Sequence, residues 1–177
     1  MYDAFAYVAH NGIALSNTYP RKYSARRMGC NYRQVAQEFF RNTGMIEEDG
    51  NTNARMKELV SKQPISIAMY STGMLQHYKK GVLTEDYLKC SSTKHEVNHG
   101  IVLVGYGKVV PTDKVRGKCN EYWIIRNSWG PNWGEEGFFK LCMDNAGAKD
   151  RKFGACLVNK FATWPNMDGV IIPPTDD

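Results

Sequence analysis

No apolar run in this sequence approaches the roughly 20 residues that a membrane-crossing helix needs, so no membrane span is expected. The opening "MYDAFAYVAHNG" lacks the basic start and long apolar stretch of a secretory leader. There is no zinc-type CxxC pair, no Walker loop, no GxGxxG and no stripe of basic and aromatic residues. Those absences leave nucleic acid, bound nucleotide and a structural metal without support. No N-x-[ST] glycan acceptor and no internal repeat occur. Charge is not one-sided either: 23 Lys and Arg face 18 Asp and Glu, a net +5 that is dispersed along the chain.

The 177 residues are 42% hydrophobic and 12% aromatic, enough for one ordinary globular domain or for parts of two small ones. The 5 cysteines, Cys30, Cys90, Cys119, Cys142 and Cys156, are far apart. Wide spacing argues against a metal cluster and for disulfides formed in an oxidising compartment. The odd number leaves one free thiol, or one whose partner lies outside this chain.

Along the chain, "MYDAFAYVAHNG" predicts a short helix that Asp3 can cap, with Ala4, Phe5 and Val8 on one face and Asn11-Gly12 as the stop. "IALSNTYPRKYSARRMGCNY" is basic and loop-like, with a turn at Tyr19-Pro20. An apolar cluster at Phe39-Phe40 gives way to the acidic "EEDGNTN". "ARMKELVSKQ" predicts a second helix with Met56, Leu59 and Val60 inward, ended by Pro64. "PISIAMY" alternates Ile65, Ile67 and Met69 against Ser66, Ala68 and Tyr70, a half-buried strand. A strand Ile101–Val104, closed by Gly105-Tyr106-Gly107, follows, then the polar loop "KVVPTDKVRGKCN" and the strand "EYWIIR". A Gly/Trp turn leads into "GFFKLCM", "ACLVNKFATW" reads as a last strand, and "GVIIPPTDD" as a tail. One or two helices followed by non-consecutive strands predict an α+β fold with an antiparallel sheet or barrel.

Two stretches carry chemistry. In "HEVNHGIVLVGYG", His99 stands at the mouth of a strand. Alone it reads as a hydrogen-bonded histidine at a strand end. In "YWIIRNSWGPNWGEEGFF", a strand ends on Asn127, followed by Trp129 and Trp133. Alone it reads as a hairpin pinned by buried indoles. Together they offer an imidazole and an amide at two strand ends. An amide oxygen that accepts from one ring nitrogen fixes the tautomer and leaves the other nitrogen to face a nucleophile. An indole over that bond keeps water away from it.

"VNHGIVLVGYG" and "YWIIRNSWGPNWGEEGFFKL" closely resemble the histidine and asparagine blocks of papain-like cysteine peptidases, in the family's order. "YDAFAYVAHNGIALSNTYP", "KQPISIAMY" and "FGACLVNKFATWP" resemble further parts of the same enzymes, so the resemblance runs nearly to Pro165. It implies a papain-like fold. Residues 1–45 would be a remnant of the helical left-hand domain, 46–165 the antiparallel β-barrel right-hand domain, and 166–177 a tail. His99 would be the base and Asn127 its orienter. Trp129 would shield their bond, and Trp133 would line the leaving-group side. His99 would then reach across an interdomain groove.

The resemblance also implies Ala68, Val97, Gly100 and Phe161 around the main specificity pocket, with Asn98 able to meet substrate through its backbone. It aligns Cys90 and Cys156 with a family disulfide. Cys119 and Cys142 flank the strands that meet at the Asn127 turn, which pairs them. Cys30 aligns with a cysteine whose partner lies in the family's first half, so it is expected to be unpaired. No cofactor and no metal are implied. Expected partners are protein or peptide substrates and cystatin-like inhibitors, in a lysosome-like, vacuolar or secreted compartment.

The departure is the nucleophile. The family places its cysteine about 130–150 residues before the histidine, in a C-G-[SA]-C-[WY] run. Neither that run nor the glutamine of the oxyanion hole is present. Cys30, with Arg26, Arg27 and Met28 before it, is not at a helix start, where a dipole would lower its pKa. The expected reading is therefore the C-terminal part of a papain-type endopeptidase, inactive alone, with Met1 an internal methionine. One chain of a two-chain peptidase and a non-catalytic homologue that binds proteins remain as alternatives.

The loop 108–121 resembles an extension in falcipain-type enzymes of protozoan parasites. It is locally basic, with Lys108, Lys114, Arg116 and Lys118 against Asp113 and Glu121. It is expected to project as an exposed arm, away from the catalytic strand ends.

Overall fold

Ile65, Ile67 and Met69 put three apolar side chains on one side of a single strand, and the larger sheet is ordered around it. In the computed structural model, residues 1–15, 29, 39–90, 96–143, 153–166 and 171–172 are described. The element order is α1 (Tyr2–Asn11), β1 (Ile13–Ala14), β2 (Phe39–Phe40), β3 (Met45–Asp49), α2 (Asn53–Val60), β4 (Ile65–Met69), β5 (Val82–Leu83) and α3 (Glu85–Leu88). Then come β6 (His99–Lys108), β7 (Glu121–Arg126), β8 (Phe138–Cys142), β9 (Phe161–Pro165) and β10 (Ile171–Ile172). Two 3₁₀ turns lie at Gly73–His77 and Ala155–Leu157. The fold class is α+β.

Contacts divide the chain into two units, Met1–Ile46 with Trp164–Asp177, and Glu47–Thr163. The first holds α1 and a small sheet ordered β1-β2-β10. No α1 side chain is buried, and Asp3 does not cap the helix. Met1 is the cap residue, with no side-chain bond, and Asp3 lies inside the first turn, where its charge suits the helix dipole. Ile171 and Ile172 pair with Phe40 and Phe39, so the segment expected as a tail contributes a strand. The Tyr19-Pro20 turn lies outside the described residues.

The second unit carries most of a seven-stranded sheet ordered β3-β9-β4-β6-β7-β8-β5. Strand β4 pairs antiparallel with β6 and with β9, β6 with β7, and β7 with β8. The expected antiparallel pattern has one exception, since β5 runs parallel to β8. Ile65, Ile67, Met69, Leu103, Ile125 and Leu141 are fully buried. Trp123 and Phe139 close around them. Burying each such side chain stabilises the fold by about 1.5–3 kcal/mol. Helix α2 presents Met56, Leu59 and Val60 to this core. Thr52 caps it by accepting the Arg55 N–H, and Lys57 reaches Glu121 on β7 at 2.6 Å.

Three local readings are corrected. Strand β6 does not close at Gly105-Tyr106-Gly107. It continues to Lys108, with a register shift between Leu103 and Gly105 that absorbs one residue as a bulge. "ACLV" is not strand: Cys156 and Leu157 take positive φ in a 3₁₀ turn, and Cys156 is bonded to Cys90. The acidic "MIEED" is strand β3, with a mostly exposed pattern.

The loop between β6 and β7 is not a projecting arm. Val82 N–H donates to the Lys114 carbonyl at 2.7 Å, and Arg116 N–H donates to the Val82 carbonyl at 2.9 Å. Val115 thus forms a parallel bridge with Val82. Thr84 Oγ donates to the Arg116 carbonyl at 2.5 Å, and Cys119 is disulfide-bonded to Cys142 on β8. Gly81 permits this docking. Its φ is +93°, and a Cβ there would run into the Lys114 carbonyl oxygen. Strand β5 is short and offers an open edge, and the loop satisfies it.

Candidate active site

Antiparallel pairing brings the start of β6 beside the end of β7. Val102 is level with Arg126, so Asn127 falls opposite Ile101, and His99 lies two residues further along the same face. The pair is thus a diagonal across two strands. His99 Nε2 meets Asn127 Oδ1 at 3.0 Å. The same oxygen accepts the Ser128 N–H at 2.8 Å. A backbone N–H can only donate, so the atom facing both groups is the amide oxygen. His99 must therefore carry its proton on Nε2. Nδ1 keeps a lone pair and has no hydrogen bond among the described residues, so it can take a proton from a thiol or a water.

Asn127 is 7% exposed, and its own N–H donates to the Gly137 carbonyl at 2.9 Å. Its Nδ2 has no partner among the described residues. The Trp129 ring lies 5.2 Å from the His99 ring at 33°, and Met69 is level with His99 on β4. Trp129 stacks edge-on against Trp133 at 5.0 Å, and Trp133 packs against Tyr78 and Phe139. Trp133 Nε1 donates to the Gln76 carbonyl at 3.2 Å.

Beneath this aromatic row is a polar anchor. Glu135 accepts from the Tyr78 hydroxyl at 2.7 Å, from the Gly81 N–H at 2.8 Å, and pairs with Lys140 at 3.1 Å. Burial would raise the Glu135 carboxyl, but these hydrogen bonds and the Lys140 charge outweigh it and hold the group below the ordinary carboxylate range. Burial, and then the hydrogen bond to Glu135 and its charge, push the Tyr78 hydroxyl upward. Gly134, at φ +61°, sits where a Cβ would meet the Phe138 carbonyl and the Tyr78 ring. No local pattern announces this anchor, because Tyr78 and Glu135 are 57 residues apart.

Ala68 on β4 is level with Gly100 on β6. Ile67 is level with Ala162 on β9, so the next step of that register brings Phe161 beside Ala68. The three residues line up across neighbouring strands. The Lys160 ammonium lies 5.1 Å from the Phe161 ring centre. Val97 is half-buried, just before β6. Asn98 clamps Ser71: its Oδ1 accepts the Ser71 N–H at 2.7 Å and its Nδ2 donates to the Ser71 carbonyl at 3.0 Å. The Asn98 N–H is taken by the Met69 carbonyl at 3.0 Å.

Cys90 is bonded to Cys156, and Cys119 to Cys142. Cys30 lies outside the described residues. Among the described residues, no three His, Cys, Asp or Glu side chains group to hold a metal, and no helix is long and apolar enough to cross a membrane.

A profile described as papain family cysteine protease matches residues 1–165. The chain is 38% identical over 146 residues to procathepsin L of Mus musculus, covering 80% of this chain and 40% of that protein. It is 33% identical over 165 residues to ananain of Ananas comosus, covering 93% and 42%. The chain thus spans less than half the length of these curated relatives. Among solved structures, the bromelain protease of Ananas comosus in complex with the E64 inhibitor matches with a TM-score of 0.73 at 28% identity. That match covers 94% of this chain and 69% of that one. With its histidine–asparagine pair on adjoining strand ends and a family match over 165 residues, the chain belongs to the papain family of cysteine proteases.

Proposed function

We propose that this chain supplies the base half of a Cys-His-Asn endopeptidase. His99 is the general base and Asn127 its orienter, Trp129 covers their bond, and Trp133 flanks the leaving-group side. The nucleophilic cysteine comes from outside this chain. The observation that carries the reading is the doubly used Asn127 oxygen, which fixes the His99 tautomer and leaves Nδ1 open.

In the complete protein, Nδ1 takes the proton of the cysteine thiol and the thiolate attacks a peptide carbonyl. Hydrogen-bond donors hold the oxyanion. The imidazolium protonates the leaving amine, and an acyl-enzyme remains. His99 then deprotonates a water that hydrolyses the thioester. Asn127 stabilises the imidazolium without changing its own proton count. The steps need no metal or organic cofactor.

Residues 46–165 would form the domain that carries this machinery. Ala68, Val97, Gly100 and Phe161 would shape the pocket for the second residue before the cleaved bond. Asn98 would meet substrate only through its carbonyl, since its N–H is engaged. A bromelain structure holds E64, so a complete protein built on this chain would take the same class of thiol-directed epoxide, and cystatin-like inhibitors besides. The two disulfides support an oxidising compartment, lysosome-like, vacuolar or secreted.

The test is hydrolysis of a fluorogenic peptide by the purified 177-residue chain. No turnover is expected. Turnover that vanishes with both His99→Ala and Cys30→Ser would place the nucleophile in this chain and overturn the outside-cysteine reading.

A further inference from the structure

The docked loop builds a pocket that the peptidase reading does not use. Val115 pairs with Val82 across the bridge, so the loop runs alongside β5 and brings Lys114 and Arg116 to it. Lys79 and Lys80 lie just before the strand that the loop joins. These four cations and His77 surround a cavity of about 540 Å³, with Tyr78, Leu83, Tyr87 and Val115 as its apolar lining. No carboxylate is among the described residues that line it. Arg116 is steadied by the Tyr87 ring, 5.1 Å from its guanidinium carbon. Several other cations of this unit are paired: Lys57 with Glu121, Arg55 with Glu48 and Glu58, Lys62 with Glu58, and Lys140 with Glu135. Among the described residues, Lys79, Lys80, Lys114 and Arg116 have no carboxylate partner. A neighbouring cavity shares Lys80 and Lys114 and does include Asp113 and Glu135. Both of those carboxylates are engaged, Asp113 by the Val110 N–H and Glu135 by Tyr78, Gly81 and Lys140.

We infer that this pocket binds a compact ligand bearing two or more phosphate or sulfate groups. Four like charges around one concavity repel one another, and a multivalent oxyanion relieves that repulsion while accepting charge-assisted hydrogen bonds. The cavity is larger than a single tetrahedral anion fills. The arginine offers a planar fork, and the lysines offer mobile point charges, which together suit several oxyanions at varied angles. The site does not depend on the peptidase reading, because its lining includes none of His99, Asn127, Trp129 and Trp133. It does share Tyr78 with the aromatic row.

Isothermal titration of the full chain with inorganic tripolyphosphate, with sucrose octasulfate and with inorganic phosphate, at low ionic strength, tests the assignment. Tripolyphosphate or sucrose octasulfate is expected to bind with one-to-one stoichiometry, and more tightly than phosphate. The stronger of the two identifies the oxyanion class, phosphate or sulfate. Lys79→Glu with Arg116→Glu should weaken binding by about tenfold or more, the scale of a lost charged hydrogen bond. Lys62→Glu, with the charge change placed in the turn after α2 and outside the pocket lining, should alter it less than about twofold. The Arg116 backbone, not its side chain, holds the loop. Should the double variant melt early, Lys80→Gln with Lys114→Gln replaces it. Equal losses in Lys62→Glu, or no binding of any of the three anions, would overturn the proposal.

Discussion

The Asn127 amide oxygen lies 3.0 Å from His99 Nε2 while also accepting the Ser128 N–H, so one atom sets both the asparagine's orientation and the histidine's tautomer. The consequence is measurable without any substrate. With the ring neutral, nitrogen-15 NMR of the chain should show His99 protonated on Nε2. Asn127→Ala should give a mixture of tautomers. A wild-type ring carrying its proton mainly on Nδ1 would contradict the arrangement. In the complete protein the same variant should lower kcat by about 10- to 100-fold, toward the small end of what a positioned base contributes, with KM little changed.

Glu135 ties Tyr78, Gly81 and Lys140 together below the tryptophans. Its carboxyl is held below the ordinary range in the folded chain. In the unfolded chain it titrates near pH 4.3. The folded state therefore binds fewer protons, and the stabilisation is fully present above the unfolded value. It is lost as pH falls through the lower, folded value. Glu135→Gln should destabilise the chain at pH 7, and the gap from wild type should narrow below about pH 4. Urea unfolding across pH 3 to 7 reads this directly. A gap that widens with acid would reverse the sign and refute the network's role.

The two disulfides close loops of different length, 66 and 23 residues apart in sequence. In the chain-entropy account, removing the longer link by Cys90→Ser with Cys156→Ser should cost about 4 kcal/mol, and removing the shorter by Cys119→Ser with Cys142→Ser about 3 kcal/mol. Thermal melts should rank them in that order. The reverse ranking would show that the docked loop, held by Cys119, contributes more than loop closure.

Phe161, level with Ala68 and Gly100, would put an aromatic ring at the end of the proposed pocket, with the Lys160 charge beside it. In the complete protein, peptides with Leu or Val at the second position before the cut should be preferred over Arg or Phe. Phe161→Glu should admit Arg. A wild-type preference for Arg in a peptide library would remove Phe161 from that pocket.

The residues announce some of this and conceal the rest. His99 and Asn127 are legible because each stands at the end of an apolar run, where periodicity and a polar group coincide. The buried faces of α2 and β4 are legible for the same reason, since spacing alone sorts Met56, Leu59 and Val60, or Ile65, Ile67 and Met69, to one side. What is hidden depends on partners distant in sequence. Gly81 becomes meaningful only once the Lys114 carbonyl arrives beside it, and that contact turns an expected arm into a docked edge. The Cys156 turn reads as strand because its positive φ belongs to a disulfide-bonded 3₁₀ turn, not to local propensity. Asp3 looks like a cap because caps favour its type, yet the helix begins at Tyr2, two residues earlier than such a cap allows.

In the proposed function, His99 and Asn127 serve a cysteine that lies outside these 177 residues. The complete transcript that encodes these 177 residues, expressed with a tag, can be treated with a biotinylated thiol-directed epoxide and mapped by mass spectrometry. Expected is one modified cysteine outside the 177 residues, with labelling abolished by His99→Ala. Modification of Cys30 that depends on His99, or no modification of the complete product at all, would contradict it.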